Sequence, residues 1–324
     1  MSQSEHEIIE VMGGSVKLNG VTVSVGKKLH SGDTLTVSPG ATVKVLCSNT
    51  HTRRVPNDGK PAAVNDICPP KKVRGGNFDI PYIISPLDTQ ILTDKPTLRW
   101  NRAAGAKKFT VTVQNEELEW TVEVSREQVC QGNVCELVYP SDKPPLQPGV
   151  SYTLLVKADT DGDSAKDTPP GFRRLDAQKA EEVEIITKQI EEEDLPATAK
   201  TIKLADHYAE YNLIAEAIDI LEGLPKDEKS VAVYRRIGDL YRWIGLIRKA
   251  EVAYYEAIEL PQAAEDTQEL AAVKVGLGEV KVALDDKQEA VRLLEEATAE
   301  YEKLGDAQRV EELKERITKI LAMP

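Results

Sequence analysis

Four histidines and four cysteines are the residues of this 324-residue chain whose types could do chemistry. Catalysis or metal capture needs such groups at set spacings. His6, His30, His51 and His207 form no HExxH pair, and no GxSxG elbow or GxGxxG fingerprint occurs. Gly20 to Gly26-Lys27-Lys28 imitates a phosphate-binding loop, but the spacing is one residue too long. It also has no Ser/Thr after the lysine. Cys47, His51, Cys68 and His30 are zinc-type donors at spacings that fit no standard site. The loop DTDGDSAKD offers Asp159, Asp161, Asp163 and Asp167 to a hard cation. Its glycine stands at the fourth place instead of the sixth, and Pro170 fills the twelfth, where a bidentate Glu belongs. The expectation is a chain with no catalytic residues, no metal and no cofactor.

The cysteines are read differently. All four lie in the first 135 residues, an even number confined to one part of the chain. That distribution points to two disulfides and an oxidising compartment, with four reduced thiols in a cytoplasmic protein as the alternative. Cys130 and Cys135 bracket QGNV, a turn-like tetrapeptide able to bring two strand ends within bridging distance. Cys47 ends a strand and Cys68 follows a loop of about twenty residues, whose closure would contribute on the order of 3 kcal/mol. The start of the chain shows no basic and apolar signal-peptide pattern, so the cytoplasm and an envelope compartment whose leader has been removed both stay open. No apolar run reaches the roughly 18 residues needed to cross a bilayer, so membrane insertion is not expected.

The elements that would position these residues fall into three segments with distinct charge. By count, residues 1–76 carry ten Lys/Arg and six Asp/Glu, residues 77–176 eleven and fifteen, and residues 177–324 twenty and thirty-three, which together make the net −13. The acidic last segment repels nucleic acid. The basic first segment has no dense Lys/Arg run with interleaved aromatics, so nucleic acid is not expected as a partner there either.

In residues 1–76, period-two alternation broken by Asn19-Gly20, Gly26, Gly32-Asp33 and Pro39-Gly40 predicts stacked β-hairpins in a small barrel or sandwich. The run of Gly-Lys-Lys-Leu, SGDTLTV and PGATVKV resembles the FecR-type β-domain, with Val37 where that family carries threonine. The following stretch, to ICP, resembles an extension in cyanobacterial exported repeat proteins, and that resemblance implies a Cys47–Cys68 pairing. In residues 77–174, strands near Thr97–Trp100, Lys108–Val113, Trp120–Val124, Glu136–Tyr139 and Ser151–Ala158 predict a seven-stranded sandwich. PTLRWNRAAGAKKFTVTV and LQPGVSYTLLVKA resemble a fibronectin type III domain. The resemblance implies a core role for Trp100 and a tyrosine corner at Tyr152.

In residues 175–324, Ala, Glu, Leu and Lys dominate at helical periodicity. A long helix around 176–193 precedes three self-similar stretches that resemble tetratricopeptide repeats. Ala205, Gly238 and Gly278 align, as do Ala217, Ala250 and Ala290, and Leu221, Tyr254 and Leu294. Pro225 and Pro261 end second helices, Lys281 stands where tyrosine is expected, and the last helix reads as a solvating cap. The resemblance places Arg235, Asp239, Arg242 and Trp243 of the middle repeat, Asp206 and Glu210 of the first and Glu279 of the third on a groove. A tryptophan beside two arginines has the composition of a protein-docking hot spot.

The sequence therefore predicts a multidomain, non-enzymatic scaffold: two small all-β domains before an all-α array that docks an unidentified protein. The alternatives are a sensory component whose β-module reads a ligand, and self-association through strand edges or repeat faces.

Overall fold

The computed structural model describes residues 6–30, 32–47, 52–68, 79–160, 171–260 and 266–323. They divide into two compact units, with the division in the chain between Ala177 and Gln178. The first unit is β-rich and the second is helical.

The opening segment comprises β1 (His6–Met12), β2 (Val16–Leu18), β3 (Val21–Val23), β4 (Lys28–Leu29), β5 (Thr34–Val37), β6 (Thr42–Leu46), β7 (Thr52–Arg54), β8 (Pro61–Ala63) and the short helix α1 (Val64–Ile67). Two four-stranded sheets form, in orders β4-β1-β6-β7 and β3-β2-β5-β8. Asn19 and Gly20 both take positive φ, 49° and 85°. That pair lets the tight β2–β3 turn twist with its strands. Alternation buries Ile8, Val16, Leu29, Leu35, Val37, Val43 and Val45 in an aliphatic core. Cys47 and Cys68 belong to it and form a disulfide with a Cα–Cα distance of 5.4 Å.

The second β-segment comprises β9 (Ile83–Ser85), β10 (Thr89–Ile91), β11 (Thr97–Asn101), β12 (Lys108–Gln114), β13 (Glu119–Ser125), α2 (Arg126–Val129), β14 (Cys130–Gln131), β15 (Val134–Val138), β16 (Ser151–Ala158) and β17 (Gly171–Arg174). Its sheets run β10-β17-β16-β12-β13 and β14-β15-β11-β9. These nine strands exceed the seven expected. Pro86 divides the opening run, because proline cannot donate to a ladder. β9 then pairs with β11 while β10 pairs in parallel with β17. Trp100 is fully buried with its ring edge-to-face on Phe109. The Tyr152 hydroxyl accepts the Gln147 N–H at 2.8 Å. Cys130 and Cys135 face each other across β14 and β15 and are joined by the second disulfide.

The helical unit contains α3 (Ala177–Glu192), α4 (Ala197–Glu210), α5 (Ile214–Glu222), α6 (Val231–Trp243), α7 (Ile247–Glu259), α8 (Thr267–Ala283), α9 (Lys287–Leu304) and α10 (Ala307–Leu321). Ser230, Asp266, Asp286 and Asp306 cap α6, α8, α9 and α10, each side chain accepting the N–H three residues on. Such caps satisfy backbone donors that a helix start leaves unpaired. α4/α5, α6/α7 and α8/α9 are hairpins. Each turns on one residue in left-handed backbone: Asn212 (φ 56°), Gly245 (φ 82°) and Asp285 (φ 62°). In each, the residue after the turn donates to a carbonyl five back: Leu213 to Tyr208, Leu246 to Tyr241 and Asp286 to Lys281, all at 2.9 Å. Glycine, Asn and Asp tolerate that conformation best, so the repeat is written in its turns as well as its core.

Ala217, Ala250 and Ala290 have no exposed surface, and neither do Leu221, Tyr254 and Leu294. Small residues in the leading helices let these side chains approach. A Cβ at Gly278 would lie 3.0 Å from Leu294. One on Gly238 would lie 2.6 Å from the Tyr254 ring, and one on Gly276 of the next hairpin 2.4 Å from it. Tyr254 is thus wedged between α6 and α8, in a notch that requires glycine on both sides. His207 is buried in α4, with Nε2 3.2 Å from the Val183 carbonyl of α3. Pro261 lies outside the described residues.

Candidate functional site

The leading helices α4, α6 and α8 carry the residues expected to line a groove, and α10 follows them in the same position. The structure joins three of the seven, Asp206, Arg235 and Glu279, to the neighbouring leading helix. Arg236 of α6 holds Asp206 of α4, with Nη2 to Oδ2 and Nε to Oδ1 both at 3.0 Å. Arg235 reaches forward, its Nε bonding Glu269 of α8 and its Nη2 lying 3.1 Å from the other carboxylate oxygen. Its Nη1 donates to Asp239 at 3.0 Å on its own helix. Glu279 of α8 accepts both forks of Arg316 from α10, at 2.7 and 2.6 Å. Every successive pair of leading helices is therefore tied by an arginine–carboxylate bond. The Arg235–Glu269 and Arg316–Glu279 bonds are two-pronged, and bonds of that kind constrain orientation as well as distance.

Electrostatics follow this geometry. Burial alone would lower the Arg235 pKa, but Glu269 and Asp239 outweigh it and raise the value above the ordinary one. The bond to Glu279 does the same for Arg316. The Tyr254 hydroxyl donates to Asp239 at 2.7 Å and accepts from Arg242 Nε at 3.4 Å. Burial first, and then the adjacent Asp239 carboxylate, push its pKa up. Asp239 is consequently a junction for Arg235, Tyr254 and Arg242, whose Nη2 stands 3.9 Å away.

Of the seven residues expected to bind a partner, Arg235, Asp239, Asp206 and Glu279 are engaged in this internal lattice. Arg242 keeps 38% of its side chain exposed. Glu210 is exposed and Trp243 half-buried. Reading the sequence alone overlooked Arg236, Glu269, Arg316 and Gly276. It also left Lys281 unexplained: this lysine bonds Glu251 of α7 at 2.7 Å, with both side chains nearly buried. An ion pair between helices occupies the place where tyrosine was expected.

In the β-rich unit, both expected disulfides are formed. Because of the Cys47–Cys68 bond, the zinc set drawn from Cys47, Cys68, His30 and His51 has no thiolates here, and His51 lies outside the described residues. His6, which the sequence reading did not include, stands beside that disulfide, one ring nitrogen and the two sulfurs lying within 4.8 Å of one another. Burial, with a smaller effect from His30, lowers the His6 pKa. Asp161, Asp163 and Asp167 of the acidic loop are outside the described residues. The Asp159 carboxylate accepts the Lys107 N–H at 2.9 Å. A surface depression beside Cys130 is lined by Arg102, Arg126, Glu127 and Gly132. Among the described residues, no helix is long and apolar enough to cross a membrane.

No family model matches this chain and no curated protein matches it. Similar solved structures are helical-repeat proteins aligned with the C-terminal region. The crystal structure of MamA is 19% identical, with 44% of this chain and 90% of that chain covered at a TM-score of 0.30. A Podosopora anserina putative kinesin light chain with nearly identical TPR-like repeats is 21% identical, covering 45% and 86% at 0.30. BtubC from P. vanneervenii is 20% identical, covering 45% and 73% at 0.31.

Proposed function

We propose that this chain is a non-enzymatic protein-binding scaffold whose helical array, of tetratricopeptide type, docks a protein on its leading-helix face. The observation that carries this reading is the arginine–carboxylate lattice running from α4 to α10. It fixes four leading helices in register before any partner arrives, and preorganisation of that kind reduces the ordering cost of association. Arg242, Trp243 and Glu210, which the lattice leaves at least partly accessible, are the contact residues. Arg235, Asp239, Asp206 and Glu279 act by holding that face in shape.

Residues 1–76 are read as a FecR-like domain, 77–174 as a fibronectin type III-like domain and 175–324 as the array. The split of the second segment into β9-β11-β15 and β13-β12-β16-β17, with the Tyr152 hydroxyl on backbone five residues upstream, supports the middle assignment. Two formed disulfides support a periplasmic or other envelope location.

The test is a photo-crosslinking amino acid placed at Trp243 or, as control, at Val252, an exposed position on α7. In cells of the native host, a discrete protein adduct from position 243 and none from 252 is expected. Equal labelling from both positions, or none from either, would sink the reading.

A further inference from the structure

We propose that Cys47, Cys68 and His6 form a zinc site that exists only when the Cys47–Cys68 disulfide is reduced. The three residues come together for reasons built into the sheet. β1 and β6 pair with Glu7 opposite Leu46, so the same register continued one step brings His6 opposite Cys47. Strand alternation turns both toward the interior already occupied by Ile8 and Val45. Cys68 arrives from the other side, at the C-terminal end of α1, where its N–H donates to Val64. His6, Cys47 and Cys68 are 4%, 3% and 2% exposed, and their three donor atoms lie within 4.8 Å of one another.

The donor set suits zinc. A tetrahedral ion with Zn–S near 2.3 Å holds two sulfurs about 3.8 Å apart. Cα atoms 5.4 Å apart accommodate that separation by side-chain rotation once the S–S bond is gone. Two thiolates also cancel the charge of Zn²⁺, so the loaded site is neutral, as burial demands. Imidazole is the third ligand and solvent the fourth.

The chemistry balances with a phosphine reductant. The phosphine supplies two electrons and becomes the phosphine oxide, taking oxygen from water. That water's two protons go to the separated sulfurs, giving two thiols. Zinc then displaces both thiol protons to solvent. Metal and disulfide exclude each other at the same atoms, so bound zinc protects the pair from reoxidation.

The experiment uses the full chain carrying Cys130→Ser and Cys135→Ser, which leaves one cysteine pair. It is reduced anaerobically with a water-soluble phosphine, and Co²⁺ is added as the spectroscopic stand-in, followed by displacement with Zn²⁺. One equivalent of Co²⁺ with thiolate charge-transfer absorption is expected in the reduced protein and none in the oxidised protein. His6→Ala should weaken Zn²⁺ binding by more than about tenfold. If reduction unfolds the β-rich unit, Zn²⁺ should restore its far-ultraviolet signal. Absence of the charge-transfer band, failure of zinc to restore a lost fold, or unchanged affinity in His6→Ala would each overturn the proposal.

Discussion

The Tyr254 wedge makes a quantitative demand on Gly276. An added methyl would sit 2.4 Å from Tyr254 Cζ and 2.5 Å from its hydroxyl oxygen. In an ordinary exposed helix, Gly→Ala stabilises by about 1 kcal/mol. Here the ring cannot withdraw cheaply, because its hydroxyl is tied to Asp239 and Arg242 and the ring is also packed against Gly238 of α6. Overpacking costs typically about 1–3 kcal/mol, and the displaced hydroxyl forfeits about 1 kcal/mol of hydrogen bonding. The net expectation for Gly276→Ala is about 1–3 kcal/mol of destabilisation, against about zero for Gly278→Ala, where the nearest atoms of Leu294 are 3.0 Å away and need give by only a few tenths of an ångström. Tyr254→Ala should cost about 3–5 kcal/mol as a large core truncation. The double variant should then cost less than the sum by about 1–3 kcal/mol, because the clash has vanished. Urea unfolding followed at 222 nm measures all four. A Gly276→Ala protein at least as stable as the parent, or strictly additive costs, would refute the wedge.

Three further outcomes follow from the same geometry. Arg235→Gln leaves the Asp239 and Glu269 carboxylates without their shared cation in a partly buried place and should cost about 2 kcal/mol. Arg316→Gln, at a more exposed pair, should cost about 1 kcal/mol or less, so a reversed order in urea midpoints would show that the lattice is misread. Gly245→Ala forces a Cβ into left-handed backbone and should destabilise by about 1 kcal/mol, whereas Asp285→Gly should be neutral or stabilising in thermal melts. Removing Cys47–Cys68 by paired serine substitution should cost about 3 kcal/mol, and removing Cys130–Cys135 about 2, since their sequence separations are 21 and 5 and the entropy released grows with loop length. Equal losses in non-reducing melts would contradict that loop-length account.

Much of the fold was legible because its signals are local. Asn19-Gly20 writes a hairpin whatever surrounds it. The aligned small residues Ala205, Gly238 and Gly278 announce that helices must touch. What escaped was decided by side chains from distant elements. Proline at position 86 marks a break, but which sheets receive β9 and β10 is settled by β11 and β17. His6 belonged to no histidine motif in the sequence; β1, paired with β6 at Glu7 and Leu46, carries it beside the Cys47–Cys68 disulfide.

The residues expected to line a groove show most clearly where a repeat pattern stops being informative. Alignment identifies which places of a leading helix face inward, but an inward face has two claimants, a docked partner and the next leading helix. A charge at such a place is consumed when the neighbouring helix carries its opposite at matching height. The three ties seen here join residues 30, 34 and 37 apart, about one repeat length. Opposite charges at that separation were therefore a readable signal for Asp206–Arg236, Arg235–Glu269 and Glu279–Arg316. Subtracting them, together with Asp239, which Arg235 and the Tyr254 hydroxyl hold, from the inward-facing set leaves Arg242, Trp243 and Glu210. In the docking mode we propose, that remainder, and not the whole aligned set, is where a partner finds its specificity, because turning the other charges to a ligand would loosen the helices that present it.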